Sequence, residues 1–196
     1  MAEDAEVLTF FFGDAGGIPN HPALPVLVYR RVGSTAQDSE ALAAWFERTW
    51  AAHGWRPAWR YGVYDFAHYH STAHEVLGVY RGHASLRLGD TVGVTLYVKA
   101  GDMLVLPAGT AHQNLGSSAD FHVVGGYPDD QSADLLRGVP GERPEADQRI
   151  LQVSRPNQDP LRGAHGALVK FWSVWPLARA SVSPVPLQPL ARGTDW

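Results

Sequence analysis

Three histidines and a glutamate fall within the short stretch HYHSTAHE, residues 68 to 75. If this stretch begins as a β-strand, His68 and His70 project from the same face, because alternate side chains of a strand point the same way. A continuous strand would place Glu75 on the other face, so residues 71–73 are expected to bend and bring its carboxylate back. Two imidazoles beside a carboxylate are typical ligands of a divalent transition metal.

Other residues near this stretch have both a structural and a chemical interpretation. His74 is expected on the surface or beside the site as a supporting residue, not as a ligand. His122 either lines the pocket or makes a structural hydrogen bond. Strand parity with the histidine pair predicts that Tyr64 and Phe66 also point inward, with Arg60 nearer the mouth. Tyr64 and His122 are therefore the candidate catalytic residues, although an inward aromatic side chain is commonly part of a core.

The elements that must position these residues are mainly strands. EVLTFFF (6 to 12) and LPVLVYR (24 to 30) are predicted strands separated by a loop rich in Gly and Pro. Between about residues 58 and 127 short strand-like segments alternate with turn residues, which favours a sandwich or a small barrel. Between these regions, a helix is predicted from the helical spacing of Leu42, Trp45, Phe46 and Trp50.

The C-terminal third is less regular. SADLLRG (132 to 138) and PEADQRILQV (144 to 153) are predicted short helices, and ALVKFWSV (167 to 174) is predicted to be a returning strand. Residues 1–175 are expected to form one domain, and residues 176–196 a Pro-rich, disordered or draped tail. The tryptophans around the first helix are expected to pack in the core or in a dimer seam, and four histidines in loops are expected to face solvent: His21, His53, His83 and His165.

Composition excludes several classes of protein. The 196 residues are 45% hydrophobic and 18% charged, which is typical of a globular chain. A formal net charge of −4 argues against a nucleic-acid partner, and the absence of cysteine excludes disulfides and thiolate metal sites. The acidic start MAEDAEV lacks the pattern of a signal peptide, and no apolar run is long enough for a membrane span. The sequence therefore predicts a cytoplasmic protein without a membrane partner.

The spacing around the histidine pair resembles the first signature of the cupin superfamily, G(x)5HxH(x)4E(x)6G. Every defined position of that signature is matched, by Gly62, His68, His70, Glu75 and Gly82.

The stretch GDMLVLPAGTAHQNLG, residues 101 to 116, is similar to the second cupin signature up to its histidine, His112. That signature commonly closes with Asn four residues later, where this chain has Gly116 and carries Asn114 early. The departure concerns only the turn that would follow the ligand.

The order of elements resembles the short, single-domain bacterial cupins of the YjlB type, over roughly residues 8 to 175. The resemblance implies a mainly β fold, a double-stranded β-helix (jelly-roll cupin barrel) with its barrel core at about 58–127. One N-terminal amphipathic helix and short C-terminal helices would accompany it. It also implies one divalent transition metal per chain, with Fe(II) favoured over Mn, Ni, Co, Cu or Zn. The implied metal ligands are His68, His70, Glu75 and His112.

Three functions follow from such a site. The first is a mononuclear metal-dependent oxidoreductase, most plausibly a dioxygenase acting on a small anionic, phenolic or enol-type substrate. The second is an isomerase or lyase that uses the ion as a Lewis acid together with an added base. The third is a non-catalytic small-molecule or metal-binding module. A homodimer is also predicted, because the apolar N-terminal strands could cover a neighbour's sheet edge.

Overall fold

The computed structural model describes residues 6–32 and 38–173. Within these ranges the chain forms nine strands and three α-helices. The helices are α1 (Ser39–Ala51), α2 (Glu145–Gln152) and α3 (Ala167–Ser173). The strands are β1 (Glu6–Phe10), β2 (Val26–Arg30), β3 (Trp55–Tyr61), β4 (Glu75–Arg81), β5 (His83–Leu88), β6 (Val94–Lys99), β7 (Met103–Leu106), β8 (His112–Ser117) and β9 (His122–Pro128).

The strands pair in two antiparallel sheets, which is the double-sheet jelly roll that the sequence predicts. The larger sheet has the order β1-β2-β7-β4-β9-β3, and the smaller has the order β6-β5-β8. At one edge, β2 pairs with β7 and β1 pairs with β2, so the two N-terminal strands extend the chain's own sheet. The homodimer in which they would cover a neighbour's edge stays a prediction. At the other edge lies β3, which pairs with β9 through a ladder whose register shifts between Pro57 and Trp59.

Two apolar layers cover the faces of the larger sheet. In β2, Val26 and Val28 belong to the cluster between the sheets, together with Leu86 of β5. The alternate residue Tyr29 joins a second cluster with Phe46 of α1. Both faces of β2 are therefore buried, which explains its unbroken apolar sequence.

The helix predictions differ in outcome. α1 is confirmed, and its N-terminal carboxylate Asp38 accepts a hydrogen bond from the Ala41 amide at 2.8 Å. α2 is confirmed within PEADQRILQV. The prediction of a helix in SADLLRG is wrong, because its backbone bonds elsewhere. Tyr69 and Leu136 exchange both amide-to-carbonyl hydrogen bonds, at 2.9 and 3.0 Å.

The prediction of a returning strand at residues 167–174 is also wrong, since Ala167–Ser173 is helical. The buried carboxylate of Asp159 accepts the Leu168 amide at 2.9 Å near the start of this helix. Leu168 and Trp172, four residues apart, are its buried side chains. A leucine and a tryptophan at helical spacing thus form the buried face here. The predicted Pro-rich tail lies outside the described residues, among which no helix is long and apolar enough to cross a membrane.

Candidate metal centre

Three histidines from two segments converge on one point. One candidate ligand atom from each of His68, His70 and His112 lies within 4.8 Å of the others, and all three residues are buried. A backbone bridge holds the segments together. The His68 amide donates to the His112 carbonyl at 3.2 Å, and the His112 amide returns the bond at 3.0 Å. FAHYH is therefore not a continuous strand as predicted, although the bridge does bring the histidine pair to one site.

Backbone carbonyls orient all three imidazole rings. Nδ1 of His68 lies 3.1 Å from the Phe66 carbonyl, and Nδ1 of His112 lies 3.1 Å from the Thr110 carbonyl. Nδ1 of His70 contacts the carbonyl of Asp134. A carbonyl oxygen only accepts, so each Nδ1 is the donor. In its neutral form each ring therefore carries its lone pair on Nε2, which is the arrangement that histidine ligands of a metal require.

Glu75 begins β4 and closes the site with its carboxylate, which is only 2% exposed. Oε1 lies 3.4 Å from Nε2 of His70, and Oε2 lies 3.2 Å from Nε2 of His112. Despite this proximity, Oε2 makes no hydrogen bond of acceptable geometry. A buried carboxylate oxygen facing imidazole lone pairs lacks a positive partner, and a divalent metal ion would supply one. The residues present therefore fit the metal that the cupin signature implies.

The expected bend before Glu75 is present and is held from a distant loop. Asp134 accepts the Ser71 amide on Oδ1 at 2.6 Å, and Oδ2 accepts the Ser71 hydroxyl. The Asp134 amide donates to Thr72 Oγ1 at 3.0 Å. One residue thus fixes both the His70 ring, through its carbonyl, and the bend that returns Glu75 to the site.

A neutral His68 and an ionised Glu75 are the protonation states that would bind a cation. Burial, reinforced by the neighbouring His112, lowers the pKa of His68 to about 3, which keeps that ring neutral. Burial also acts on His70, but the Glu75 carboxylate outweighs it and raises the His70 pKa. Burial would raise the pKa of Glu75, but the adjacent His70 and His112 imidazoles outweigh it and lower that pKa well below its usual range. The carboxylate therefore stays ionised.

A cavity of about 370 Å³ opens above the four residues. Its walls are predominantly apolar and aromatic, as is usual for sites that bind small molecules. The side chains that supply these walls are Trp59, Tyr61, Val63, Tyr64, Leu77 and Leu135.

One wall depends on a glycine in β9. A Cβ at Gly125 would lie 2.1 Å from Cζ2 of Trp59, so the missing side chain lets the indole lie directly against the strand. The indole Nε1 donates to the Tyr127 hydroxyl at 3.0 Å. The Tyr127 ring meets His70 edge to face, with centroids 5.9 Å apart. Burial and the nearby Glu75 carboxylate raise the pKa of Tyr127, so this hydroxyl stays protonated.

The structure separates the two candidate catalytic residues. Tyr64 lines the cavity, stacks on Phe66 at 4.8 Å and meets His68 edge to face at 5.1 Å. His122 lies outside the cavity lining, with Nδ1 3.2 Å from the Asp120 carbonyl. His122 therefore makes a structural hydrogen bond and does not line the pocket.

Other expectations near the site are corrected. Arg60 does not reach the mouth, because its guanidinium pairs with Glu47 of α1 at 2.6 Å. His74 is fully buried outside the metal group and accepts the Ala108 amide on Nδ1, which is a supporting contact. The expectation that His21 faces solvent is wrong, since it is only 8% exposed.

Sequence reasoning missed several residues of the cavity. Trp59, Tyr61, Tyr127 and Asp134 line it. Of the residues that parity with the histidine pair predicted to point inward, Tyr64 lines the cavity, whereas Phe66 and Arg60 do not. Residues 62–67 are not a strand, so the parity of the histidines does not extend back into β3. The alternation within β3 was the one available signal for Trp59 and Tyr61.

The departure in the second signature appears in the structure as a β-bulge. Ser85 of β5 pairs with Gly116, and Leu86 pairs with Asn114, so Leu115 is the extra residue. The Gly116 amide donates to the Asn114 side chain at 2.9 Å. The change therefore lies beyond His112 and leaves the ligand in place.

No family model matches the chain. Over 169 residues it is 40% identical to the uncharacterized protein YjlB of Bacillus subtilis (strain 168), covering 86% of this chain and 98% of that protein. Among solved structures, a cupin 2 domain-containing protein from Halorhodospira halophila aligns over 79% of this chain and 86% of its own (16% identity, TM-score 0.32). RmlC from Streptococcus suis, in complex with dTDP-D-xylose, aligns over 82% and 88% (14% identity, TM-score 0.35).

At such low TM-scores, the structural similarities bear on neither the reaction nor the ligand of this chain. The identity to YjlB, in contrast, extends over nearly the whole of both chains. Both halves of the cupin signature also meet at one buried centre. The chain therefore belongs to the YjlB branch of the single-domain cupins.

Proposed function

We propose that His68, His70, Glu75 and His112 hold one divalent transition metal, Fe(II) by preference, and that the protein is a mononuclear oxidoreductase of the dioxygenase type. The observation that carries the proposal is the unpartnered Oε2 of Glu75, facing oriented imidazole nitrogens below an aromatic cavity. The substrate would be a small anionic, phenolic or enol-type molecule.

The bound ion would supply a Lewis acid for an anionic oxygen and, as Fe(II), a redox-active place for dioxygen. With neutral imidazoles and one carboxylate, the centre would keep a formal single positive charge, which favours an anionic oxygen donor. In a dioxygenase reaction both atoms of dioxygen end in the oxidised substrate. The substrate supplies all the electrons, so no external reductant is needed.

The chain's own residues have separate tasks in this proposal. The carbonyls of Phe66, Thr110 and Asp134 keep the imidazole Nε2 atoms aimed at the centre. The aromatic walls exclude water from the reacting face of the substrate. The Tyr127 hydroxyl, protonated and held by Trp59, is a hydrogen-bond donor beside the Glu75 carboxylate.

An isomerase or lyase would require a side-chain base within reach of the substrate. Among the described residues that line the cavity, the three histidines and Glu75 are assigned to the metal. The Tyr127 pKa is raised, and the carboxylate of Asp134 is engaged with Ser71. His122 lies outside the lining. Of the two candidate bases, Tyr64 alone lines the cavity, so the second function would rest on a tyrosine hydroxyl, and we rank it below the oxidoreductase.

The first test is metal content, measured by mass spectrometry on the wild type, on His112→Ala and on the control His122→Ala. We expect about one transition metal per chain in the wild type and the control, and loss of metal in His112→Ala. His112→Gln repeats the test with a smaller change in volume. A wild-type protein that retains no metal after anaerobic Fe(II) reconstitution would refute the proposed metal centre.

The second test is an oxygen-electrode screen of the Fe(II) protein with small enols, phenols and keto acids. Oxygen consumption should require substrate and match product formation one to one, with both atoms of labelled dioxygen in the product. Turnover that proceeds equally under argon would establish the isomerase or lyase instead. Tight binding of a ligand without any turnover would establish the binding module.

A further inference from the structure

The walls of the metal cavity hold no cationic side chain. None of the described residues that line it is Lys or Arg, whereas two carboxylate residues, Glu75 and Asp134, belong to the lining. Arg149 approaches the Asp134 carboxylate from outside the lining, with Nη2 to Oδ2 at 3.9 Å. The proposed metal would therefore be the one source of positive charge that faces a bound substrate within the described lining. A second negative charge on the substrate would meet carboxylates without a cation to receive it.

The body of the substrate would meet aromatic surfaces. Trp59 lies flat against β9 at Gly125, and its indole nitrogen is already engaged by Tyr127. Tyr64 is backed by Phe66, over whose ring the Arg137 guanidinium carbon lies at 4.1 Å. Both rings are thus held from behind and keep a surface on the cavity. The volume of about 370 Å³ suits a ligand of about one ring system, near the lower end of typical pockets.

We infer that the cavity selects a flat, conjugated monoanion, with its one anionic group at the metal and an uncharged aromatic or enolic body between Trp59 and Tyr64. Phosphorylated and other dianionic molecules are excluded as substrates. The inference rests on the proposed metal centre and deepens it. The absence of Lys and Arg from the described lining selects substrates by charge, and Trp59 and Tyr64 select them by shape.

The test uses protein loaded with Co(II) under argon, so that binding is observed without oxidation. Titration calorimetry at pH 8 compares benzoate, phenyl phosphate and cyclohexanecarboxylate. Phenyl phosphate is a dianion at this pH, because its second pKa is about 6. We expect benzoate to bind at least about tenfold more tightly than phenyl phosphate. We also expect benzoate to bind about threefold more tightly than cyclohexanecarboxylate, as aromatic contacts provide.

Variants separate the two kinds of selection. Trp59→Ala and Tyr64→Ala should bring the affinity ratio of benzoate to cyclohexanecarboxylate close to one, a ratio that a general loss of folding would not change. Leu135→Arg introduces the missing cation at the wall and should improve phenyl phosphate binding about tenfold. The matched control is Leu151→Arg, an exposed leucine of α2 outside this cavity.

The outcomes are distinct. A metal-loaded wild type that binds phenyl phosphate as tightly as benzoate overturns the inference and leaves the metal centre intact. Equal binding of benzoate and cyclohexanecarboxylate in the wild type overturns the assignment of Trp59 and Tyr64. A protein that retains no Co(II) overturns both this inference and the proposed function on which it rests.

Discussion

Adding one methyl group to β9, in the variant Gly125→Ala, should disturb the cavity wall and leave the metal ligands in place. The new Cβ would lie 2.1 Å from Cζ2 and 2.2 Å from Cε2 of Trp59. Carbon atoms in contact lie about 3.5–4.0 Å apart, so the indole must retreat by more than about 1 Å. The movement also strains its 3.0 Å hydrogen bond to Tyr127.

The cost can be worked out from these two effects. Overpacking of a well-packed site costs about 1–3 kcal/mol, and a lost hydrogen bond costs about 1 kcal/mol. We therefore expect the free energy of unfolding to fall by about 2–4 kcal/mol and the Tm to fall by roughly 4–16 °C. Because the indole can retreat only toward the cavity, affinity for benzoate in the Co(II) protein should fall about tenfold, with metal content unchanged.

The assay pairs thermal unfolding with calorimetry, and the chain offers a matched control. Gly116 also lies in a strand, but a Cβ there would meet nothing within 4 Å, so Gly116→Ala should leave both measurements unchanged. In Gly125→Ala combined with Trp59→Phe, the smaller ring should recover about 1 kcal/mol of the predicted loss. A Gly125→Ala protein with wild-type Tm and wild-type benzoate affinity would refute the reasoning.

Two further predictions concern residues outside the ligand set. Asp134→Ala removes the side chain that holds Ser71, so metal affinity should fall about 10–100-fold, measured in competition with a chelator. Asp130→Ala, at an exposed position in the same loop, should leave the metal affinity unchanged. Burial, assisted by the charge of Arg155, lowers the pKa of His21 to about 4, so the folded state requires its neutral ring. The contribution of His21 to the free energy of unfolding is fully present above pH 6.5, and about 3 kcal/mol of it should be lost as the pH falls to 4. His21 Nδ1 accepts the amides of Ala23 and Leu24, and His21→Asn keeps an acceptor for them. Urea unfolding should show a shallower loss of stability with falling pH in this variant; an unchanged slope would contradict this account.

The convergence of the four candidate ligands could be predicted because signature spacing encodes local geometry. His68 and His70 need only a short extended segment, and Glu75 needs only a bend followed by a strand. The cavity walls depend instead on contacts between distant parts of the chain. Asp134 is 64 residues from His70 in sequence and holds it through a backbone carbonyl, which no side-chain pattern reveals.

Strand parity gave the right direction for Tyr64 but the wrong one for Arg60 in β3, for a related reason. It transmits direction only along an unbroken strand, and the irregular residues 62–67 separate the histidines from β3. In β3, Trp59 and Tyr61 therefore line the cavity, and the predicted residue Arg60 does not. Helix α3 was misread because burial of Leu168 and Trp172, four residues apart, together with a cap from Asp159, outweighed local strand propensity.

One edge of the larger sheet, formed by β3, is poorly suited to adding a strand from a second chain. β3 is an edge strand, and Pro57 removes an amide from the middle of it while the ladder shifts register beside it. Arg56 adds a charge along the same strand. A second chain therefore finds neither a continuous row of donors nor a neutral surface on which to add a strand. This edge protects the folded chain against sheet-to-sheet aggregation without covering the mouth of the metal cavity.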